Sequence, residues 1–169
     1  MQYFELFEIP VQLKPDKILV RKKYLLLSKQ YHPDYFANNQ DADQQKVLEE
    51  AAILNKAFKT FNNPDETIRY VLKEKNLMED DEKYQLPAEF LMQMMEINEE
   101  LSEAVFAEDN NIKQKLQEQL TELEKSIYEP VAAIIENYQE GITTEEELLQ
   151  VKDYYFKKKY LYRLREQLR

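Results

Sequence analysis

The sequence predicts an all-α protein made of two helical parts joined by a short charged linker. One glycine and six prolines among 169 residues leave few helix breakers, and 33% of the residues are charged. Apolar residues recur at three- and four-residue spacing along most of the chain, which is the period of amphipathic helices. The length suffices for one domain or for two small ones, each with its own core.

The net charge of −10 is spread unevenly between the two parts. Residues 1–78 carry 12 Lys/Arg against 11 Asp/Glu, whereas residues 79–169 carry 11 against 22. Two halves with different electrostatics indicate two different partners, and the acidic half argues against nucleic acid as one of them.

Several classes of protein are excluded by composition. The chain has no cysteine, which removes disulfides, thiol nucleophiles and cysteine-ligated metals or clusters. No apolar run approaches the roughly 20 residues of a membrane span, and the first residues do not resemble a signal peptide. We therefore expect a soluble, intracellular protein without a membrane partner.

The first long helix is predicted over residues 17–31, with Asp16 as its cap. One face carries an apolar stripe that should be core: Val20, Tyr24, Leu27 and Tyr31. The opposite face combines cations with two leucines and should be exposed: Arg21, Lys22, Leu25, Leu26 and Lys29. Pro33 disfavours helical backbone at His32, so the helix should stop there and leave Asp34 on a loop.

Three further helical segments complete the first part. Residues 3–9 form an aromatic opening that should dock on the core, and residues 67–76 form a short helix after Pro64. Between them, residues 44–61 should pack antiparallel to the first long helix. The stripe predicted for this helix is Val47, Leu48, Ala51, Leu54, Ala57, Phe58 and Phe61.

The second part should be a three-helix bundle over residues 87–169, preceded by a charged linker at 79–86 in which the run 79–83 should be a solvated hinge. The bundle helices are predicted at 87–107, 110–140 and 144–168. Pro130 should kink the second, Gly141 should cap its end, and a capping box at Thr144 or Thr143 should open the third. The second helix's predicted stripe is Ile112, Leu116, Leu120, Leu123, Ile127, Val131, Ile134 and Tyr138.

The first bundle helix has two apolar faces. Its core stripe is predicted as Phe90, Met94, Ile97, Leu101 and Val105. About 100° to 240° around the helix lies a second patch bordered by carboxylates. Its members are Leu91, Met92, Met95, Glu96, Glu99 and Glu103. Two interpretations fit the periodicity equally: a partner site rich in adaptable methionines, or a face covered by the third helix or by the first part.

The segment His32-Pro33-Asp34, placed between a basic helix and a second helical run, resembles the J-domain. J-domains are the modules through which co-chaperones engage DnaK-type chaperones. The resemblance implies an antiparallel helical hairpin with short flanking helices over residues 1–78. It also implies that the tripeptide and the basic face, with Arg21, Lys22, Leu26 and Lys29, contact the chaperone. Leu25 and Leu26 stand where many J-domains carry basic residues.

Across essentially the whole chain the sequence is similar to the HscB family, the J-proteins of iron-sulfur cluster assembly. The motifs that carry this likeness are Tyr3-Phe4-x-Leu6-Phe7, Tyr31-His32-Pro33-Asp34-x-Phe36, Asn62-x-Pro64 with Arg69-Tyr70, and Phe90-Leu91-Met92 with Glu99-Glu100-Leu101. The resemblance implies that the patch on the first bundle helix binds an IscU-type scaffold. An aromatic residue of the last helix should contribute, with Phe156 the best match beside Tyr154 and Tyr155.

The resemblance implies a cytoplasmic co-chaperone that stimulates the ATPase of an HscA/DnaK-type chaperone and brings it the scaffold. The alternative is a general J-domain adaptor whose acidic bundle binds an unrelated client. Catalysis and resident cofactors are not expected, because His32 is the only histidine and the serines lack a nucleophile-elbow context. The Tyr/Lys-rich stretch at 154–165 is compatible with RNA binding, but its helical spacing favours bundle core with a solvated lysine face.

Overall fold

The computed structural model describes residues 1–31 and 41–168, with only the backbone described at 41–44. All regular structure in these ranges is helical, which confirms the predicted all-α class. The helices are α1 (Gln2–Phe7), α2 (Lys17–Gln30), α3 (Asp41–Asn62), α4 (Pro64–Glu74), α5 (Ala88–Phe106), α6 (Asn110–Glu136) and α7 (Glu145–Gln167).

The helices fall into two compact units. The first unit comprises Met1–Asn76 together with Tyr138–Ile142. The second comprises Leu77–Asn137 and Thr143–Arg169. Each unit has its own core of buried apolar side chains.

Aromatic rings join α1 to the rest of the first unit. The ring centroids of Phe4 and Phe7 lie 4.7 and 5.2 Å from that of Phe61, and all three side chains are buried. Tyr3 stacks on Tyr70 with 4.3 Å between ring centroids. Such pairs bury large apolar areas and add their own ring-ring attraction, so the aromatic opening is a docking helix, as predicted.

The two long helices of the first unit, α2 and α3, run antiparallel. Tyr24 stacks on Phe58 at 3.9 Å and donates a hydrogen bond to Asn55 at 2.9 Å. Tyr31, further along α2, bonds Glu50, which is earlier on α3. Contacts that advance along one helix and retreat along the other define the hairpin, and Val20 is fully buried.

Helix starts in this unit follow the capping residues of the sequence. The Asp16 carboxylate accepts hydrogen bonds from the amides of Ile18 and Leu19, at 2.7 and 3.2 Å. Asn63 caps α4 in the same way, so α4 begins at Pro64 rather than at residue 67. Each such cap satisfies amides that have no partner inside the helix.

One residue of the predicted α3 stripe is exposed, and Val47, Ala51 and Phe58 are half-buried. Leu48 is exposed, whereas Leu54, Ala57 and Phe61 are buried. At about 100° per residue Leu48 lies about 120° around the helix from Leu54, too far from the buried direction to reach the core. The predicted stripe is therefore too wide near the start of α3.

The second unit is built on residues from all three bundle helices. They are Phe90, Met94, Ile97, Leu101 and Ala104 from α5, Leu116 and Leu120 from α6, and Leu161, Leu164 and Leu168 at the end of the chain. This cluster uses the predicted stripes of α5 and α6, with two exceptions.

The exceptions lie near the turn between α5 and α6. Val105 and Ile112 are exposed, although both were predicted to be core. Ala104 is fully buried instead, although it and Val105 lie at similar angles from the centre of the buried face. Farther along α6 the buried position is Ile135, with Ile134 only half-buried, so the buried face shifts beyond Pro130.

The turn before α7 differs from expectation at Gly141. Helix α6 ends at Glu136 with Asn137 as its C-cap, so Gly141 is not the cap. Gly141 instead adopts φ +77° in the loop that follows, a conformation that glycine takes without strain. The capping box at Thr144 is present: its hydroxyl accepts from the Glu147 amide at 3.2 Å, and its amide donates to the Glu147 carboxylate at 2.8 Å.

The charged linker is attached to α7 rather than free in solvent. Lys152 donates to the Leu77 carbonyl at 2.7 Å and pairs with Glu82 at 2.6 Å. The Tyr84 hydroxyl donates to Asp153 at 3.0 Å. The expected solvated hinge is therefore exposed mainly at Glu79–Asp81 and Lys83, because alternate side chains of the segment find partners on the last helix.

No helix in the described ranges combines the length and the apolar character that a membrane crossing requires.

Candidate docking faces

The outward face of α2 combines cations with exposed leucines. Leu25 and Leu26 are 53% and 57% exposed, and Arg21, Lys22 and Lys29 are exposed beside them. Within residues 1–31 and 41–168 no ion pair is formed by these three cations. Lys23 behaves differently: it bonds Glu8 at 2.7 Å, which lowers the pKa of that carboxyl group.

The structure adds Ile18 to this face. Its side chain is 81% exposed, four residues before Lys22 and seven before Leu25, so it extends the same surface towards the start of α2. The spacing alone could have identified it. We call Ile18, Arg21, Lys22, Leu25, Leu26 and Lys29 the α2 face.

The tripeptide predicted to contact a chaperone, His32-Pro33-Asp34, lies outside the described residues. Tyr31, just before it, is the C-cap of α2, and its amide donates to the Leu27 carbonyl at 2.9 Å. Burial and the hydrogen bond to Glu50 raise the pKa of the Tyr31 phenol. Tyr31 thereby attaches the end of α2 to α3.

Helix α5 presents the second candidate face. Met92 and Met95 are 64% and 61% exposed, whereas Met94 between them is fully buried. Helix α7 therefore leaves both methionines uncovered, and Leu91 is half-buried at the edge of the patch. Exposed thioether side chains are polarisable and adapt to varied partners.

Three carboxylates border the methionines. Glu96, Glu99 and Glu103 are all exposed, and none forms an ion pair within the part of the chain that the structure describes. Their charges are available to a partner. We call Leu91, Met92, Met95, Glu96, Glu99 and Glu103 the α5 face.

Phe156 lies in a groove that also includes Leu91. The open groove has a volume of about 470 Å³ and is lined by Glu82, Lys83, Tyr84, Gln85, Leu86, Leu91, Phe156, Lys159, Tyr160 and Arg163. Tyr154 and Tyr155 are buried and do not line it, so Phe156 is the aromatic of the three that neighbours the α5 face.

The Phe156 ring is positioned by the linker. Tyr84 stacks on it with 4.5 Å between centroids and 7° between planes. Burial and the hydrogen bond to Asp153 raise the pKa of Tyr84 to about 12, so the phenol stays neutral and keeps donating at physiological pH. Sequence reasoning missed Tyr84, because nothing local predicts that it meets a ring 72 residues away.

Side chains that commonly bind metals are not clustered within residues 1–31 and 41–168. No group of three or more His, Cys, Asp or Glu side chains there could hold a metal ion. The surfaces that the sequence singled out are faces suited to protein partners.

Comparisons with known proteins indicate the family of this chain. A family model described as the HSCB C-terminal oligomerisation domain matches residues 86–169. A co-chaperone protein HscB homolog of Aliivibrio salmonicida is 33% identical over 138 residues, which cover 75% of this chain and 80% of that protein. The chain belongs to the HscB co-chaperone family.

Other HscB proteins are also similar to this chain. A homolog of Photobacterium profundum is 36% identical over 110 residues, and that match spans 64% of this chain and 64% of the relative. The solved chaperone HscB from Vibrio cholerae superposes with a TM-score of 0.74 at 26% identity, covering 99% of this chain and 95% of that one. Human co-chaperone protein HscB shares the fold with a TM-score of 0.78 at 23% identity, over 98% of this chain and 79% of its own.

Proposed function

We propose that this HscB-family chain stimulates the ATPase of an HscA/DnaK-type chaperone and delivers an IscU-type scaffold to it during iron-sulfur cluster assembly or transfer. One observation supports this most strongly. Each unit of an HscB-family chain exposes a mixed apolar and charged face, positive on α2 and negative on α5. Two faces of opposite sign suit two different protein partners.

The α2 face, together with His32-Pro33-Asp34, would dock on the ATP-bound chaperone. The chain needs no catalytic group of its own for this role. By binding the hydrolysis-competent conformation better than the other one, it shifts the chaperone towards hydrolysis.

The α5 face would hold the scaffold. Met92 and Met95 supply exposed apolar area, while the bordering carboxylates set the orientation and favour a partner with basic groups. Carrying both contacts on one chain raises the effective concentration of the scaffold at the chaperone.

Steady-state ATP hydrolysis by the chaperone, measured with and without purified IscU-type scaffold, tests both assignments. We expect this protein to stimulate hydrolysis, and scaffold to increase that stimulation more than additively. Stimulation indifferent to scaffold would indicate another client, as for a general J-domain adaptor. No stimulation in either arm would contradict the J-domain assignment.

Asp34→Asn separates the two roles. We expect the variant to leave ATP hydrolysis at the chaperone's basal rate, because the charge contact of Asp34 is lost, while scaffold affinity stays unchanged. The scaffold titration and far-UV circular dichroism serve as controls for folding. Stimulation that persists in this variant would contradict the proposed mechanism.

Replacing Leu91, Met92 and Met95 together by alanine tests the other role. We expect scaffold affinity to fall by about a hundredfold, roughly 3 kcal/mol, from the loss of three apolar anchors. Stimulation of hydrolysis without scaffold should not change. Unaltered affinity in a scaffold titration would move the binding site away from the α5 face.

A further inference from the structure

The groove beside the α5 face has an apolar lining. Five half-buried side chains contribute to it: Tyr84, Leu86, Leu91, Phe156 and Tyr160. They come from the linker, α5 and α7, and the stacked pair of Tyr84 and Phe156 forms one wall. An open apolar groove of about 470 Å³ has room for one large side chain and the backbone on either side of it.

Exposed cations surround this lining. Lys83, Lys159 and Arg163 all line the groove and are exposed. Lys159 and Arg163 are four residues apart on α7 and therefore project from the same side of the helix. Their three positive charges converge on one opening.

Neighbouring cations of the second unit form ion pairs. Lys152 pairs with Glu82 at 2.6 Å, and Arg165 pairs with Glu124 at 3.1 Å. For Lys83, Lys159 and Arg163, by contrast, no ion pair occurs within the described ranges 1–31 and 41–168.

The contrast is informative because acidic partners are abundant here. Residues 79–169 hold 22 Asp/Glu against 11 Lys/Arg, so a cation in this region has many carboxylates within the chain to pair with. Glu82 also lines the groove, but its charge is balanced by Lys152. The groove is a local positive site on an acidic unit.

We propose that this groove binds an acidic, extended peptide segment of the partner that covers the α5 face. An apolar side chain of the segment inserts against Phe156, and its carboxylates meet Lys83, Lys159 and Arg163. The inference rests on the proposed scaffold site, because Leu91 belongs to the α5 face and also lines the groove.

The surroundings favour a protein segment over a polyanion such as nucleic acid. Leu91, on the groove wall, is followed along α5 by the exposed carboxylates of Glu96, Glu99 and Glu103. A uniformly negative ligand extending from the groove onto this face would be repelled, whereas a protein can present acidic groups to the groove and basic groups to α5. Two adjacent surfaces of opposite sign also fix the orientation of the bound partner.

A labelled synthetic peptide, Glu-Glu-Asp-Phe-Asp-Glu-Glu, tests the groove directly by fluorescence anisotropy on the full chain. We expect K159E/R163E to bind this peptide about tenfold more weakly than the unaltered chain at low salt. The matched control is K115E/K125E, which makes the same change in net charge on exposed lysines of α6 that do not line the groove. Circular dichroism confirms that both variants fold.

Equal peptide affinity for the two double variants would overturn the proposal, because binding would then depend on net charge alone. So would undiminished binding of a peptide in which lysines replace the six flanking acidic residues. Retention of binding by K115E/K125E together with loss in K159E/R163E supports the groove.

A scaffold titration distinguishes this inference from the proposed function. If scaffold binding depends on Met92 and Met95 but is equal in K159E/R163E and K115E/K125E, the scaffold role holds and the groove proposal is wrong. If the acidic peptide binds through Lys159 and Arg163 while the scaffold does not bind at all, the groove is supported and the scaffold role is wrong.

Discussion

The α2 face and the α5 face follow the same plan with opposite charge. Both lie on helices whose other side contributes to a core, through Val20 on α2 and Met94 on α5, and both expose two or more apolar side chains among charges that have no partner in the described chain. On α2 the charges are Arg21, Lys22 and Lys29, and on α5 they are glutamates. A helix that contributes to a core on one side can thus expose a charged and apolar face on the other. The sign of the charge on that face favours partners of the opposite sign.

The two faces also differ in the kind of apolar residue they expose. On α2 these residues are Ile18, Leu25 and Leu26, and on α5 they are chiefly Met92 and Met95. Methionine has a flexible, polarisable side chain that repacks against different surfaces, whereas isoleucine and leucine adopt fewer shapes. The α5 face is thus the more adaptable of the two.

Substitutions on the two sides of α5 should differ most strongly in their effect on stability. Met94→Ala should destabilise the protein by about 2–5 kcal/mol, because Met94 is fully buried and its loss leaves a cavity. Met95→Ala, its matched control one residue away, should change the free energy of unfolding by no more than about 0.5 kcal/mol. Urea unfolding followed by circular dichroism measures both. Similar costs for the two variants would contradict the division of α5 into a core side and an exposed side.

The next effect concerns the charge on α2. R21E/K22E/K29E should lower stimulation of the chaperone's ATPase by about tenfold at low salt, since three attractive charges become repulsive. The matched control is K46E/K56E/K59E, three exposed lysines of α3 in the same unit. Hydrolysis rates at two or more salt concentrations should show the deficit shrinking as salt rises. If the α3 control lowered stimulation of ATP hydrolysis equally, the effect of the α2 substitutions would come from net charge and not from the position of the charges.

The smallest effect concerns the linker that supports the groove. Partial burial opposes ionisation of Glu82, but hydrogen bonds from Lys152 and from the Glu79 amide outweigh it, so the pKa of Glu82 is lowered below 4.5. A carboxyl group with a lowered pKa stabilises the fold above its unfolded pKa and loses that contribution as pH falls through the folded value. Glu82→Gln should therefore cost about 1 kcal/mol at pH 7.

This difference should disappear in acid. Unfolding midpoints of the unaltered chain and of Glu82→Gln should differ at pH 7 and converge in acid, as the pH falls through the lowered pKa of Glu82. A difference that does not change with pH would mean that Glu82→Gln alters packing instead of removing an ion pair.

Much of the fold could be predicted because its determinants are local. Asp16 caps α2, Thr144 with Glu147 opens α7, and the spacing around Met94 separates core from patch on α5. The prediction is wrong where a stripe is too wide, as at Leu48, and where it extends past the buried part of its helix, as at Val105. Helical periodicity gives the direction of a side chain, but not how far the neighbouring helices extend over it.

The groove could not be predicted, because it depends on contacts between distant residues. Tyr84 lies in the predicted charged linker, and its stacking on Phe156 follows from the folding of the segment onto α7. The lysine face of α7 was interpreted as solvated, and only the convergence of Lys159 and Arg163 with an apolar lining distinguishes it from other charged surfaces. Exposed charge in a sequence does not reveal which other elements share its surface.

We propose that the two faces act together because one chain carries both. The most direct test measures the chaperone's ATP hydrolysis in the presence of scaffold, comparing the unaltered chain with an equimolar mixture of Asp34→Asn and the Leu91/Met92/Met95 triple-alanine variant. All components are kept below their dissociation constants, so that linkage matters. We expect the scaffold-dependent increase with the unaltered chain, and no more than the additive rates with the mixture. A mixture as effective as the unaltered chain would contradict the claim.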